Sequence, residues 1–231
     1  MTASLAVIGA KPSEASSDTR CGDSDSASLV AGLILAGGAS RRMKAPKAAL
    51  RAHGATFVAH VAHALAAGGT SPNLVVAGVH RETTRAALGS AYDLPLLDNP
   101  APERGPISSI AIGLAWLRSA TRVRGCIIAP VDHPAITAGT VAALLEAACA
   151  TTHPIVVPVF RGRRGHPTYF AREVWHELLD PQLDGGARVV VQRAPARVRE
   201  VKVLDPGIVR NIDTPEDLAA WRAAQEPGSI Q

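Results

Sequence analysis

The feature that most restricts the fold is the alternation, from Leu29 onward, of short apolar runs with longer stretches of helical periodicity. Strands separated by helices of about ten to fifteen residues form βαβ units and a mostly parallel sheet. We therefore predict an α/β fold with a single doubly wound, mostly parallel sheet. The predicted strands are Leu29–Ala36, Leu74–Val79, Gly125–Val131, Ile155–Phe160 and Val198–Leu204. The predicted helices are Thr56–Ala67, Arg81–Leu88, Ser108–Arg118, Ala138–Ala150, Ala171–Leu179, one after Gly186, and Pro215–Ala224, whereas Pro95–Leu97 is predicted to lead into a loop.

The first 28 residues differ in composition from the rest of the chain. They are rich in Ser, Ala and Asp, and Ser13–Ser28 contains no large apolar residue. Such a segment cannot bury enough surface to offset its ordering entropy, so residues 1–28 are predicted to be a disordered tail. The remainder is one predicted domain, 29–225, followed by a short tail, 226–231.

The charge and aromatic content of the chain indicate which classes of ligand it could bind. The chain carries a formal net charge of +4, to which the first 28 residues contribute −2, so the rest carries +6. This charge suits an anionic ligand such as a triphosphate, and general solubility explains it equally well. Aromatic residues make up only 3%, which argues against base-stacking modules for nucleic acid.

The expected compartment is the cytoplasm. No stretch approaches the roughly 20 apolar residues of a membrane span, and the apolar run Leu5–Ala10 is a poor match to a secretory signal. Cys21, Cys126 and Cys149 lack metal-ligand spacing. Because Cys126 lies in an apolar run and Cys149 in an Ala-rich helix, we predict buried, reduced thiols.

A glycine-rich loop follows the first predicted strand. It contains Leu35, Ala36, Gly37, Gly38 and Ser40, followed by Arg42 and Lys47. The glycines let backbone N–H groups approach an anion, Ser40 adds a hydroxyl, and the two cations match phosphate charge. The spacing differs from the two best-known phosphate loops. Taken alone, a simple glycine turn with solvated arginines explains the pattern about as well.

Two aspartates are candidate metal ligands. Asp132 ends the most apolar predicted strand, where ligands bind in parallel sheets. Asp213 directly precedes Thr214–Asp217, which has the pattern of a helix start, with Thr as the cap and Pro at the first position. Carboxylate oxygen is the ligand that Mg²⁺ prefers. Helix capping is the structural alternative for Asp132, although Thr137 is better placed for that role.

Two further segments are candidates for substrate contacts. Asp98 lies seven residues before Gly105, which leads through Ser108 and Ser109 into a helix start suited to hydroxyl or phosphate contacts. Arg161–Pro167 is a basic turn that includes His166 and could receive a second, anionic substrate. An ordinary exposed hairpin is an equally good explanation of that turn.

Taken together, these residues resemble the molybdenum-cofactor nucleotidyltransferases, the MobA- and MocA-like members of the nucleotidyltransferase superfamily. The family signature Leu-Ala-(Gly/Ala)-Gly-x-Ser-x-Arg-Met-Gly-x-x-Lys matches Leu35 to Lys47 except at Lys44, which replaces a glycine. Asp98 with Gly105, Asp132, and Asp213 to Asp217 match the other family motifs. A lysine resists the positive φ that glycine accepts, so we expect the loop to follow a different path at Lys44.

The resemblance implies a Rossmann-like nucleotidyltransferase fold and transfer of a nucleotide to molybdopterin, with pyrophosphate as leaving group and a molybdoenzyme as possible recipient of the product. By the same resemblance, Arg42, Lys47 and Asp132 are catalytic, and Asp132 and Asp213 hold Mg²⁺. We expect the nucleotide to contact residues Leu35 to Gly38, Ser40, Arg42, Lys47, Asp98 and Gly105. The candidate contacts of the acceptor are Ser108, Ser109 and His166.

The base is less sharply defined by the sequence. Gly37 matches the guanylyl branch of the family, whereas Gly165–Pro167, Gly105–Ser109 and Gly186–Arg188 are more similar to the cytidylyl branch. The balance slightly favours CTP over GTP. Another phosphate acceptor, such as a sugar phosphate, is an alternative within the family. A nucleotide-binding protein without catalysis is the alternative from another class, disfavoured because both acidic residues and both cations are present.

Overall fold

The computed structural model describes residues 29–38, 40, 42–120 and 122–224. The predicted tails, 1–28 and 226–231, lie outside the described residues, as does residue 225 at the predicted domain boundary. Among the described residues, no helix is long and apolar enough to cross a membrane.

The centre of the fold is an eight-stranded sheet with the order β10-β7-β9-β6-β1-β4-β5, in which β8 pairs with β7. Strands β1, β4, β5 and β6 are parallel to one another, as are β7 and β10, whereas β8 and β9 are antiparallel to their neighbours. The predicted α/β fold with a mostly parallel sheet is confirmed. The strands are β1 Leu29–Ala36, β4 Asn73–Ala77, β5 Leu96–Asp98, β6 Val123–Pro130, β7 Ile155–Phe160, β8 Arg163–Arg164, β9 Thr168–Ala171 and β10 Val198–Lys202, with a separate hairpin of β2 Arg51–Ala52 and β3 Ala55–Thr56.

Helices cover both faces of the sheet. Side chains alternate along a strand, so Val30 and Ile34 of β1 lie in one core cluster and Ala31 and Leu33 lie in the other. A strand buried on both faces is therefore apolar throughout, which is why β1 reads as a continuous apolar run. The helices are α1 Phe57–Ala67, α2 Arg81–Leu88, α3 Pro106–Arg118, α4 Ala138–Ala150, α5 Trp175–Leu178, α6 Ala187–Arg193 and α7 Pro215–Ala223.

Several predicted elements need correction. The predicted helix Ala171–Leu179 is in fact the end of β9, a 3₁₀ turn Arg172–Val174 and the short helix α5. Leu96 and Leu97 belong to a strand that pairs with β4, whereas Pro95–Leu97 was predicted only to lead into a loop. Helix α3 begins at Pro106, two residues before the predicted start, because Pro is favoured in the first turn.

The prediction of buried thiols is confirmed for Cys126 and wrong for Cys149. Cys126 lies on β6 with its side chain buried in the core, and burial raises the pKa of its thiol. Cys149, however, is exposed near the end of α4, where its sulfur accepts a hydrogen bond from Arg124 at 2.8 Å. The Ala-rich composition of α4 did not indicate which face of the helix Cys149 occupies.

Candidate active site

The carboxyl ends of β1 and β6 open into a cavity of about 1570 Å³. The loop after β1, the loop after β6, the segment leading into α3 and the β7–β8 hairpin all contribute to its walls. Parallel strands present their carboxyl ends at the same edge of a sheet, so motifs that are distant in sequence meet there. Of the predicted site residues, the cavity is lined by Leu35, Ala36, Gly37, Gly38, Ser40, Arg42, Lys47, Gly105, Ser109, Asp132, His166 and Asp213.

Ser40 holds the glycine-rich loop in shape. Its Oγ accepts a hydrogen bond from the backbone N–H of Lys47 at 3.0 Å and donates a longer one to the carbonyl of Gly38 at 3.4 Å. Ser40 has a positive φ of 48°, and Lys44 has a positive φ of 51°. The expectation that Lys44 would avoid this region is therefore wrong, because the surrounding loop imposes the left-handed conformation on a lysine.

The ammonium group of Lys47 lies between two carboxylates. Its Nζ donates to Asp132 at 3.0 Å and also to Asp213, and the guanidinium of Arg42 lies 3.6 Å from Asp213. Burial lowers the pKa of Lys47, but the two carboxylates outweigh it and leave that pKa above its ordinary value. The pKa of Asp213 lies below its ordinary value, and the largest cause is the hydrogen bond from Lys47. Both shifts favour the charged forms of Lys47 and Asp213.

The backbone fixes both carboxylates. The carbonyl of Asp132 accepts from the N–H of Ile212 at 2.8 Å, which ties the loop after β6 to the residue before Asp213. Helix α7 then begins with a capping box, in which Thr214 and Asp217 each satisfy the other's backbone N–H. The prediction that Thr214–Asp217 is a structural helix start is confirmed. Asn211 completes the group by donating to Asp213 at 2.9 Å.

Asp98 and Ser108 do not line this cavity, although both were predicted to contact a substrate. Asp98 is exposed and its carboxylate pairs with Arg81 at 3.1 Å. Ser108 is buried and donates to the carbonyl of Gly105 at 2.8 Å. Sequence analysis missed their neighbour Asn99, which is buried and donates to the hydroxyls of Ser108 and Ser109. Its position directly after Asp98, at the carboxyl end of a strand, was the available signal.

A second residue that sequence analysis missed is His133. Its ring meets that of His166 edge to face, with centroids 4.9 Å apart, and both line the cavity. Burial lowers the pKa of His133, and burial together with the neighbouring His133 lowers the pKa of His166 to about 4. Both imidazoles are therefore neutral at neutral pH. The position of His133 directly after Asp132 was the signal that could have identified it.

One end of the cavity is basic. Arg163 and Arg164 line it on β8, which lies on the β7 side of β6, and Arg188 and Arg210 also line the cavity. Of these, Arg164 is paired with Glu200 at 2.7 Å. The remaining arginines give this end of the cavity an excess of positive charge that suits an anionic ligand.

The chain is similar to known proteins in sequence and in fold. The family model for the MobA-like NTP transferase domain matches residues 32–199. A probable molybdenum cofactor guanylyltransferase from Rhodopirellula baltica is 27% identical over 203 residues, which cover 81% of this chain and 89% of the relative. A nicotine blue oxidoreductase from Paenarthrobacter nicotinovorans is 27% identical over 209 residues, covering 85% of this chain and 98% of the relative.

Among solved structures, Rv0371c from Mycobacterium tuberculosis H37Rv, in complex with manganese, has the same fold. Its TM-score is 0.68 at 24% identity, and the match covers 85% of this chain and 98% of that one. The two sequence relatives are named for different activities, so their names alone do not assign substrates to this chain.

Proposed function

The chain belongs to the MobA-like NTP transferase family, and from this premise we propose that it moves a nucleoside monophosphate from a nucleoside triphosphate to a phosphate-bearing acceptor, releasing pyrophosphate. The observation that carries the proposal is the position of Lys47, whose ammonium bridges Asp132 and Asp213 beside the glycine-rich loop. Phosphoryl transfer depends mainly on positioning and charge neutralisation, and this cluster supplies both.

The donor set of the cluster fits a divalent cation. Asp132 and Asp213 both hydrogen-bond to one ammonium, so their oxygens converge on a single point that already holds a positive charge. Among the described residues, no group of three or more His, Cys, Asp or Glu side chains could hold a metal. Two carboxylates completed by phosphate oxygens and water are the usual surroundings of Mg²⁺. The manganese complex of the Mycobacterium tuberculosis neighbour supports the use of a divalent cation.

The residues of the loop account for the rest of the chemistry. When bound, Mg²⁺ would neutralise charge on the triphosphate. The side chains of Arg42 and Lys47 would bind the phosphates and stabilise the departing pyrophosphate, and the N–H groups near Gly37 and Gly38 would contact the nucleotide. The attacking oxygen needs no dedicated base, because a phosphomonoester has a second pKa near about 6 and is already charged at neutral pH.

The size and charge of the cavity support a second, anionic substrate. A volume of about 1570 Å³ exceeds the roughly 300–1000 Å³ of a typical single-ligand pocket. The basic end, with Arg163, Arg188 and Arg210, would receive the acceptor phosphate. We propose molybdopterin as this acceptor, because the guanylyltransferase relative carries the molybdenum cofactor in its name.

For the nucleotide we propose CTP, with GTP as the second candidate. The segments Gly105–Ser109, Gly165–Pro167 and Gly186–Arg188 favour CTP by their similarity to the cytidylyl branch. Gly37 and the name of the Rhodopirellula baltica relative favour GTP. The two candidates share the same cation cluster and the same acceptor end, so they differ only in the base.

A turnover assay tests the proposal. The full chain would be incubated with Mg²⁺, molybdopterin and each of the four ribonucleoside triphosphates in turn, with pyrophosphate as the readout. We expect release with CTP, and release with GTP alone would select the second candidate. Asp132→Asn should reduce the rate at least about 100-fold, whereas Asp180→Asn, on the exposed surface, should not. Absence of release with every triphosphate would overturn the proposed function.

A further inference from the structure

The buried side chain of Asn99 has a fixed orientation. Its Oδ1 accepts from the backbone N–H of Ala101 at 2.9 Å, and its Nδ2 donates to the hydroxyls of Ser108 and Ser109, each at 2.8 Å. A backbone N–H can only donate, so the amide atom that faces Ala101 must be the oxygen. Both Nδ2 hydrogens are then directed at the serines. Asn99 is 5% exposed, and both of its amide hydrogens are used.

This orientation determines what the two serines can do. Each hydroxyl oxygen accepts from Asn99, so each hydroxyl hydrogen must be donated elsewhere. Ser108 donates to the carbonyl of Gly105 at 2.8 Å. The hydroxyl hydrogen of Ser109 has no acceptor among the described residues, and Ser109 lines the cavity. Ser109 is therefore prepared as a donor toward whatever the cavity binds.

The place of Ser109 in the fold indicates which part of a ligand it meets. Helix α3 packs mainly on β1 and β4 and also contacts β5 and β6, and the sheet order places β4 and β5 on the side of β1 away from Asp132. Ser109 Oγ also lies beside Gly37, where an added Cβ would come within 2.6 Å of it. If the phosphates lie at Lys47 and Asp132, the nucleoside extends past Gly37 toward Ser109.

We propose that Asn99 holds Ser109 as a hydrogen-bond donor to an acceptor atom on the base of the bound nucleotide, such as a ring nitrogen or an exocyclic carbonyl oxygen. This inference rests on the proposed function, because it requires a nucleoside triphosphate in the cavity. It places Ser109 at the nucleotide, where sequence analysis had placed it at the acceptor, and it makes Asn99 a positioning residue. Cytosine and guanine both carry such acceptor atoms, so the inference holds for either candidate nucleotide.

Calorimetric binding of CTP, GTP and inorganic tripolyphosphate, with Mg²⁺, tests this assignment. Ser109→Ala should weaken the preferred nucleotide about five- to tenfold, the effect of one neutral hydrogen bond, and leave tripolyphosphate binding unchanged. Asn99→Asp replaces the donating amide with an acceptor, so the Ser109 hydroxyl would turn toward residue 99. That variant should lose at least as much nucleotide affinity although Ser109 is still present.

Ser119→Ala is the matched control, because Ser119 lies at the other end of α3, is exposed and donates to the carbonyl of Trp116. Thermal unfolding of each variant shows whether it is folded. If Asn99→Asp is unstable, the nucleotide affinity of Ser109→Ala alone decides the outcome. Unchanged nucleotide affinity in Ser109→Ala, or an equal loss for tripolyphosphate, would overturn the inference and leave the proposed function standing. A wild-type chain that binds no triphosphate at all would overturn both.

Discussion

Lys47 donates a 3.0 Å hydrogen bond from Nζ to Oδ2 of Asp132, a residue 85 positions later in the chain. The same ammonium reaches Asp213, so one lysine neutralises two carboxylates that would otherwise repel each other. In the proposed reaction Asp132 and Asp213 would hold a divalent cation that supplies this neutralisation, and Lys47 would then bind phosphate. Lys47 thus serves two partners, which makes it the residue whose loss should be most damaging.

Lys47→Met removes the charge and keeps most of the side-chain volume. We expect kcat/KM for nucleotide transfer to fall by about 100- to 1000-fold, because a positioned charge that faces the transferred phosphates is lost. Steady-state pyrophosphate release measures this effect. Lys202→Met, at an exposed position on β10, is the control and should leave the rate unchanged. A Lys47→Met rate within a few fold of wild type would contradict the assigned role.

Much of this cluster was predictable from sequence. Lys47, Asp132 and Asp213 each stand in a recognisable local pattern, at a glycine-rich loop, a strand end and a helix start. Their mutual contact was only inferred from the rule that parallel strands end at one edge. The hydrogen bond between Lys47 and Asp213 spans 166 positions and depends on how β1, β6 and α7 converge.

Other features could not be read from local patterns. Strand β9 has only four residues, Thr168–Ala171, and runs without interruption into the following 3₁₀ turn, so its apolar pattern merges with that of the helix predicted there. Asn99 resembles an ordinary turn residue until its buried contacts with Ser108 and Ser109 are seen. Such roles depend on tertiary neighbours, which spacing along the chain does not specify.

His166 should make stability depend on pH between about 6.5 and 4. Its pKa is lowered to about 4 in the folded protein from an ordinary 6.5, so the unfolded chain takes up a proton first as the pH falls. The stabilisation is fully present above pH 6.5 and is lost as the pH falls toward 4. Each such histidine contributes at most about 1.4 kcal/mol per pH unit to the slope of the unfolding free energy.

Urea unfolding at several pH values measures that slope. Because the pKa of His133 is also lowered, His166→Gln should reduce the slope and His133→Gln/His166→Gln should reduce it further. His176→Gln, at an exposed position, should leave it unchanged. An identical slope in wild type and the double variant would contradict the assignment.

Asp205 should be important for stability away from the chemistry. Its buried carboxylate accepts from the backbone N–H and hydroxyl of Thr137, the hydroxyl of Thr140 and the backbone N–H of Gly207. Asp205→Ala leaves these donors without their acceptor, and we expect the free energy of unfolding to fall by about 3 kcal/mol. Urea unfolding provides the measurement. Asp180→Ala, which loses one exposed bond to Gln182, should change stability by less than about 0.5 kcal/mol.

Lys44 offers a test of backbone strain in the loop. Its φ of 51° lies in the left-handed region, which costs a residue with a Cβ about 1–2 kcal/mol. Lys44→Gly and Lys44→Ala both remove the exposed ammonium, but only glycine relieves the strain. We expect Lys44→Gly to be the more stable by about 1 kcal/mol, or about 2–4 °C in Tm for a domain of this size. A Lys44→Ala variant as stable as Lys44→Gly would show that the loop relaxes.

The packing of Gly37 against Ser109 predicts a coupled pair of substitutions. A Cβ at position 37 would lie 2.6 Å from Ser109 Oγ, so Gly37→Ala should lower the free energy of unfolding by about 1–3 kcal/mol. Removing that oxygen with Ser109→Ala should recover most of the loss in the double variant, giving a coupling of about 1 kcal/mol or more in urea unfolding. Gly38→Ala is the matched control, since no atom of the residues that the structure describes lies within 4 Å of its added Cβ. Additive effects would mean that position 37 requires glycine for a reason other than the serine hydroxyl.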